Sequence, residues 1–255
     1  MAEKKFSVTK NNRDKVGFLG VQGEYLVIPQ AVKVGKKEVP VVRVSSNAFQ
    51  CETEIQTVAI LEGAVEEIGE AAFQSCTGIT EVVLPASLRS IKKYAFSGCR
   101  SLRILSILDG LLNIGQRAFS GCEALDEVFL PTSLEVIGES AFSGCEKLRK
   151  VEFSGHVLKK ISNSAFMGCT ALTEFVVPVG VTNIDRWAFN WCNSLASVTL
   201  PDTIRRIGDG AFNGCHPDLQ IQFNETRREW EFATWDSSLV VTKGSIHCLD
   251  GDIEV

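Results

Sequence analysis

Nine cysteines and three histidines are the residues of this 255-residue chain with the most direct capacity for chemistry. A thiol can close a disulfide, ligate a metal or act as a nucleophile, and each use has its own spacing. Metal sites bring two ligands close together in sequence, as in Cys-x-x-Cys, and no such pair occurs here. Instead Cys76, Cys99, Cys122, Cys145, Cys169, Cys192 and Cys215 recur every 23 or 24 residues, each three positions after a phenylalanine. Seven thiols in one column cannot all pair. A cysteine repeated in this way reads as a small buried hydrophobe with an inert sulfur. Cys51 lies only two positions after Phe49 and falls out of register, and Cys248 lies beyond the series.

The histidines, His156, His216 and His247, are far apart in sequence, and only the last two are placed to approach each other. The chain has no Gly-x-Ser-x-Gly elbow, no phosphate loop and no His-Glu-x-x-His. With no nucleophile paired to a base, the sequence assigns no catalytic, cofactor-binding or metal-binding residue and does not read as an enzyme. Asn224-Glu225-Thr226 fits a glycosylation acceptor, which has meaning only in a secretory context. Trp187 and Trp191 flank one Ala-Phe pair, in "WAFNWC", and form a candidate aromatic patch beside Arg186.

The elements that position these residues follow from the phenylalanines. Phe49, Phe73, Phe96, Phe119, Phe142, Phe166, Phe189 and Phe212 each follow an alanine and are spaced by 23 or 24 residues. Self-similarity at this period with regularly placed Leu and Ile reads as a leucine-rich repeat solenoid. In the unit "LDEVFLPTSLEVIGESAFSGCEKL", residues 125–148, alternation predicts a strand with Val128 and Leu130 inward and Glu127 and Phe129 outward. Pro131 ends that strand because it has no N–H to donate. Leu134 and Ile137 then enter the core from a second side, and the Ala-Phe pair packs before "SGC" turns the chain back. Neighbouring coils about 4.8 Å apart would stack equivalent residues into ladders, and no coil buries its apolar side without its neighbours.

The unit LxxVxLPxSLxxIGxxAFxGCxxL resembles the BspA-like leucine-rich repeat family of bacterial and protozoan proteins. The opening "EYLVIPQAVKVGKKEVPVVRVSSNAF" is similar to that family's entry segment, and "FNETRREWEFATW" with "IHCLDGDIEV" to its closing segment. The expected fold is a right-handed solenoid, β-rich, with a parallel sheet on the concave face, short strands, turns and 3-10 segments opposite, and little α-helix. Residues 1–40 are expected to cap one end, 41–223 to form eight repeats and 224–255 to cap the other, in one continuous domain. Trp230, Phe232 and Trp235 are expected to cover the last coil, with Cys248 and Ile253 in a final strand.

The resemblance implies cell-surface adhesion and binding of host proteins; the alternative is a cytosolic scaffold or regulatory repeat protein. A third class, a carbohydrate-processing or other enzyme using carboxylates of the concave face, lacks a nucleophile–base pair. Net charge −5 with scattered Lys and Arg gives no nucleic-acid footprint. No apolar run approaches the roughly 18 residues of a membrane helix. The charged first fifteen residues carry no export signal, which reads as cytoplasmic; a mature fragment given a new Met would read the same and belong at the surface. The partner is expected to be a protein, met through outward strand residues: Val83, Ile104, Glu127, Phe129, Lys150, Glu152, Glu174 and Val176. Glu127, Lys150 and Glu174 alternate in sign on successive strands and are expected to pair across them. The column before each Ala-Phe pair varies from Asn47 to Tyr94, Arg117 and Trp187, which reads as a tolerant outward-facing column. The column two after Phe is mostly Gly, which predicts a tight turn or positive φ.

Overall fold

The computed structural model describes residues 21–22, 24–34, 36–232, 234–235 and 245–254. The side chains of Phe232 and Trp235, and residues 1–20, lie outside that description. The chain winds as a β-solenoid of about eight turns. Each turn carries one longer strand, one two-residue strand and one Ala-Phe turn. The unit at 125–148 shows the pattern: strand Glu127–Leu130 has Val128 and Leu130 buried and Phe129 exposed, and Val136–Ile137 follows.

The longer strands lie parallel and in register. Tyr25–Ile28 pairs with Thr57–Ile60, then Glu81–Val83 and Ile104–Ser106. Glu127–Leu130 pairs with Lys150–Phe153, and Glu174–Val176 with Ser197–Leu200, Gln220–Phe223 and Ser245–Cys248. This ladder is interrupted twice, after Ser106 and after Phe153. The short-strand row is also split at one place, between Val136–Ile137 and Lys160–Ile161. The latter interruptions fall where "SGHVLK" lengthens the repeat to 24 residues, so one added residue shifts both rows at once.

The Ala-Phe turn makes its own ladder. In each of seven consecutive coils the phenylalanine N–H donates to the alanine carbonyl of the next coil, at 2.7 or 2.8 Å, as Phe142 does to Ala165. The residues on either side of the turn also donate forward, for example Ser140 to Asn163 and Gly144 to Met167. Pointing those N–H groups along the stack requires left-handed backbone at both flanks. Ser140 has φ 54° and Gly144 φ 73°, and the same holds from Asn47 and Cys51 to Gly210 and Gly214.

Inside, the eight phenylalanine rings stack with centroids 5.0–5.6 Å apart and planes within 8° of parallel. Phe175 enters from the strand side and meets Phe189 at 4.6 Å, near edge-on. Six of the seven ladder cysteines are fully buried, and Cys215 packs partly buried at the end of the column.

Both ends are closed by added structure, as the exposed faces of a solenoid require. At the first end Val21–Gln22 runs antiparallel to Tyr25–Ile28, and Ala31–Val34 pairs with Lys37–Pro40. At the other, the helix Arg227–Phe232 buries Trp230 against Phe223, with ring centroids 5.4 Å apart. Ser245–Cys248 extends the long-strand row and turns back as Gly251–Glu254, with Ile246 buried and Ile253 packed on the core.

Candidate functional site

Strand pleating alternates side chains between faces, so every second residue of the long strands meets solvent. Ile104 is 55% exposed, Phe129 48%, Val176 60% and Val83 37%. All four lie on the face that the alternation pattern indicated. Tyr25 and Val27 extend this apolar set toward the first coil, in register with Thr57 and Ala59. Sequence reasoning assigned them to a cap and passed over them, although "EYLVI" carries the same alternation.

Lys150 sits at the centre of the face. Its ammonium lies 2.7 Å from Glu152, two residues along the same strand, and 5.6 Å from the centroid of the Phe129 ring. The Glu152 hydrogen bond is the first cause of a raised Lys150 pKa, and Glu127 and Glu174 add to it. The expected cross-strand pairing is thus replaced by a bond within one strand: Glu127 instead meets Arg149 at 3.9 Å. Arg149, which the sequence did not single out, is held by Asp126 through two hydrogen bonds of 2.5 and 2.6 Å. That guanidinium keeps the Asp126 carboxyl below its usual range.

Where the ladder opens after Phe153, a groove of about 410 Å³ runs along the face. Lys150, Glu152, Glu174, Val176, Val179 and Thr199 line it. His156 borders it and is exposed.

The tryptophans lie on the turn edge, where both occupy left-handed backbone, with φ 56° at Trp187 and 61° at Trp191. Their rings lie over glycines of the next coil. A Cβ added to Gly210 would come 2.7 Å from Trp187 Cδ1, and one on Gly214 would come 3.1 Å from Trp191 Cε3. Arg186 stacks on the Trp187 ring at 4.6 Å and bridges to Asp209 at 2.9 Å. Trp187 is flanked by Gly210 and Arg186 yet stays 41% exposed, and Trp191 is 60% exposed. The column before Ala-Phe is not a uniformly outward-facing one: Ala71, Ser140, Ser164 and Gly210 are buried in it. Its variety reflects a shared backbone conformation, which side-chain types alone did not disclose.

Each ladder cysteine donates its S–H to the phenylalanine carbonyl one coil back, at 2.9–3.3 Å. In the interior coils that carbonyl also accepts the backbone N–H of its own coil's cysteine, as Phe119 does from Cys122. Burial is the first cause that holds the thiols of Cys99, Cys122, Cys169 and Cys215 above the usual range, and it pushes Cys145 up to about 12. A thiolate is the reactive form of cysteine, so these five thiols are chemically quiet. Cys51, outside it, is exposed.

One further cluster was invisible in the sequence. His247 Nδ1 lies 2.8 Å from Asp252 across the closing hairpin, and Nε2 lies 2.7 Å from both Ser245 Oγ and Gln220 Oε1. The order Ser–His–Asp resembles a nucleophile relay, but Ser245 also donates to Gln220 Oε1. That oxygen can only accept, and it occupies the side of Nε2 that a general base would turn to its nucleophile. The cluster ties the last repeat to the closing hairpin. His216 does not join it and accepts the Asp218 N–H instead. Among the described residues no three His, Cys, Asp or Glu side chains converge as metal ligands, and no helix is long and apolar enough to cross a membrane. Asn224 is exposed at the end of the groove.

The BspA-type leucine-rich repeat region matches this chain in six copies over residues 42–170 and 159–238. A leucine-rich repeat protein from Bacteroides ovatus is 27% identical, with a TM-score of 0.73 over 89% of this chain and 61% of its own. The chain thus spans about three fifths of that protein's length. The leucine-rich repeat protein of T. pallidum is 30% identical over 83% of this chain and 86% of its own, with a TM-score of 0.57. A leucine-rich cell surface protein from Faecalibacterium prausnitzii shares the fold at 20% identity and a TM-score of 0.52, over 92% and 96% of the two chains. The search of curated proteins gave no match.

Proposed function

Because this chain belongs to the BspA-type leucine-rich repeat family, we propose that it is a rigid repeat scaffold that binds a protein partner through its long-strand face. The observation that carries the reading is the exposed apolar series Val83, Ile104, Phe129 and Val176 on strands that lie over one continuous buried core. Solvent-facing apolar groups on a preordered surface gain area on binding without a large ordering cost. The reading assigns binding and no catalysis. Its setting, from the family resemblance, is adhesion at a bacterial surface. A cytosolic scaffold would use the same face, and the buried thiols suit either compartment because their sulfurs are shielded.

The test is a capture experiment from host extract and from cell lysate with wild-type protein and Phe129→Glu, alongside thermal melting. A partner recovered by wild type and lost by the variant, at unchanged Tm, is the expected result. Recovery by both proteins sinks the reading, and a large drop in Tm would place Phe129 in the core.

A further inference from the structure

The long-strand face is not neutral. Among the outward residues of the described long strands, Glu81, Glu127, Glu152 and Glu174 stand against one cation, Lys150. Lys150 is committed to Glu152 at 2.7 Å. Arg149, at the rim, is committed to Asp126, with Glu127 only at 3.9 Å. Glu81 and Glu174 have no ion-pair partner among the described residues. Interleaved with these carboxylates are Val83, Ile104, Phe129 and Val176, all exposed.

Resting on the reading of this face as the docking surface, we propose that its occupant is an extended segment in which Lys or Arg alternates with apolar residues. The protein already shows how such a cation is held. The Lys150 ammonium rests near the Phe129 ring and against Glu152, with Glu127 and Glu174 within electrostatic reach. A carboxylate and an aromatic face together favour an ammonium or guanidinium over a neutral group. The groove at the ladder interruption adds a further carboxylate beside an apolar group, Glu174 and Val176, two residues apart on one strand. Extended chain places side chains with a period of two, which matches the two outward columns: Glu81, Glu127 and Glu174 with Ile104 in one, and Val83, Phe129 and Val176 with Glu152 in the other. An acidic segment would be repelled by the same groups.

The consequence is specific. Lys150 competes with the occupant's cation, so its removal should strengthen binding. Fluorescein-labelled peptides of alternating Lys and Val, Ser and Val, and Glu and Val are titrated with the whole chain and followed by anisotropy. The Lys–Val peptide is expected to bind about tenfold more tightly than Ser–Val, a difference lost as salt shortens the screening length to about 3 Å at 1 M. Lys150→Met should tighten Lys–Val binding several-fold, and Glu174→Lys should weaken it about tenfold. Melting curves confirm that both exposed substitutions leave the fold intact. Equal binding of the Ser–Val or Glu–Val peptide, or no gain with Lys150→Met, overturns the cationic assignment. The face itself survives those results if the neutral substitution Phe129→Ser still abolishes binding. Lys–Val binding that persists in Phe129→Ser overturns the face as well.

Discussion

The cysteine ladder should make this protein unusually sensitive to mild alkali. Cys99, Cys122, Cys145, Cys169 and Cys215 have folded-state pKa values raised by burial, whereas a thiol in unfolded chain titrates near 8.5. The fold keeps protons that the unfolded chain gives up. Stability is therefore fully present below about pH 8.5 and falls as pH rises toward the folded-state values. Between about pH 7.5 and 9.5 each such thiol removes on the order of 1 kcal/mol, so the five together remove several kcal/mol. That is comparable to the whole stability of an ordinary domain, roughly 5–15 kcal/mol. Urea unfolding in reducing buffer at the two pH values, followed by circular dichroism, measures the loss directly. Replacing Cys122, Cys145 and Cys169 together by alanine should cut it to less than half, because only Cys99 and Cys215 remain of the five thiols raised by burial. Thiol titration at the lower pH should find exposed Cys51 reacting first and all nine cysteines after unfolding. A stability that stays flat across this range, or a slope unchanged in the triple variant, would refute the argument.

Two structural substitutions test the packing. Phe142→Ala removes a ring stacked between Phe119 and Phe166 and is expected to cost about 3–5 kcal/mol by chemical denaturation. Two glycines separate steric from conformational cost. At Gly121 a new Cβ finds nothing closer than 3.7 Å, so Gly121→Ala should lose only the φ 72° preference, about 1 kcal/mol. At Gly155 it would come 2.3 Å from the Thr132 carbonyl oxygen, so Gly155→Ala must push two coils apart and should cost more, about 1–3 kcal/mol. Equal losses would argue that the coils separate freely.

The repeat pattern reveals the fold because every coil solves the same packing problem. Phe49 to Phe212, the cysteines and the inward strand residues recur at the only spacing that brings a side chain back above its predecessor. The outward positions of Ile104, Phe129 and Val176 follow from a period of two, and the structure places them where that period indicates. Tyr25 and Val27 were legible by the same rule, but the less regular first segment obscured them. The Ser245–His247–Asp252 cluster was not legible, because it spans a hairpin whose register no local pattern specifies. Nor was the partnership of Lys150 with Glu152: strand order alone suggests cross-strand neighbours, and rotamers decide which carboxylate the ammonium reaches.

"WAFNWC" shows where the division falls. Sequence alone determined that Phe189 and Cys192 belong to core ladders, since their spacing leaves them no other place. It could not determine the setting of Trp187 and Trp191. Both stand on left-handed backbone with their rings over Gly210 and Gly214 of the following coil. Spacing along a chain fixes which residues stack. The room available to a side chain depends on atoms of a neighbouring coil, and only the assembled structure brings the two together.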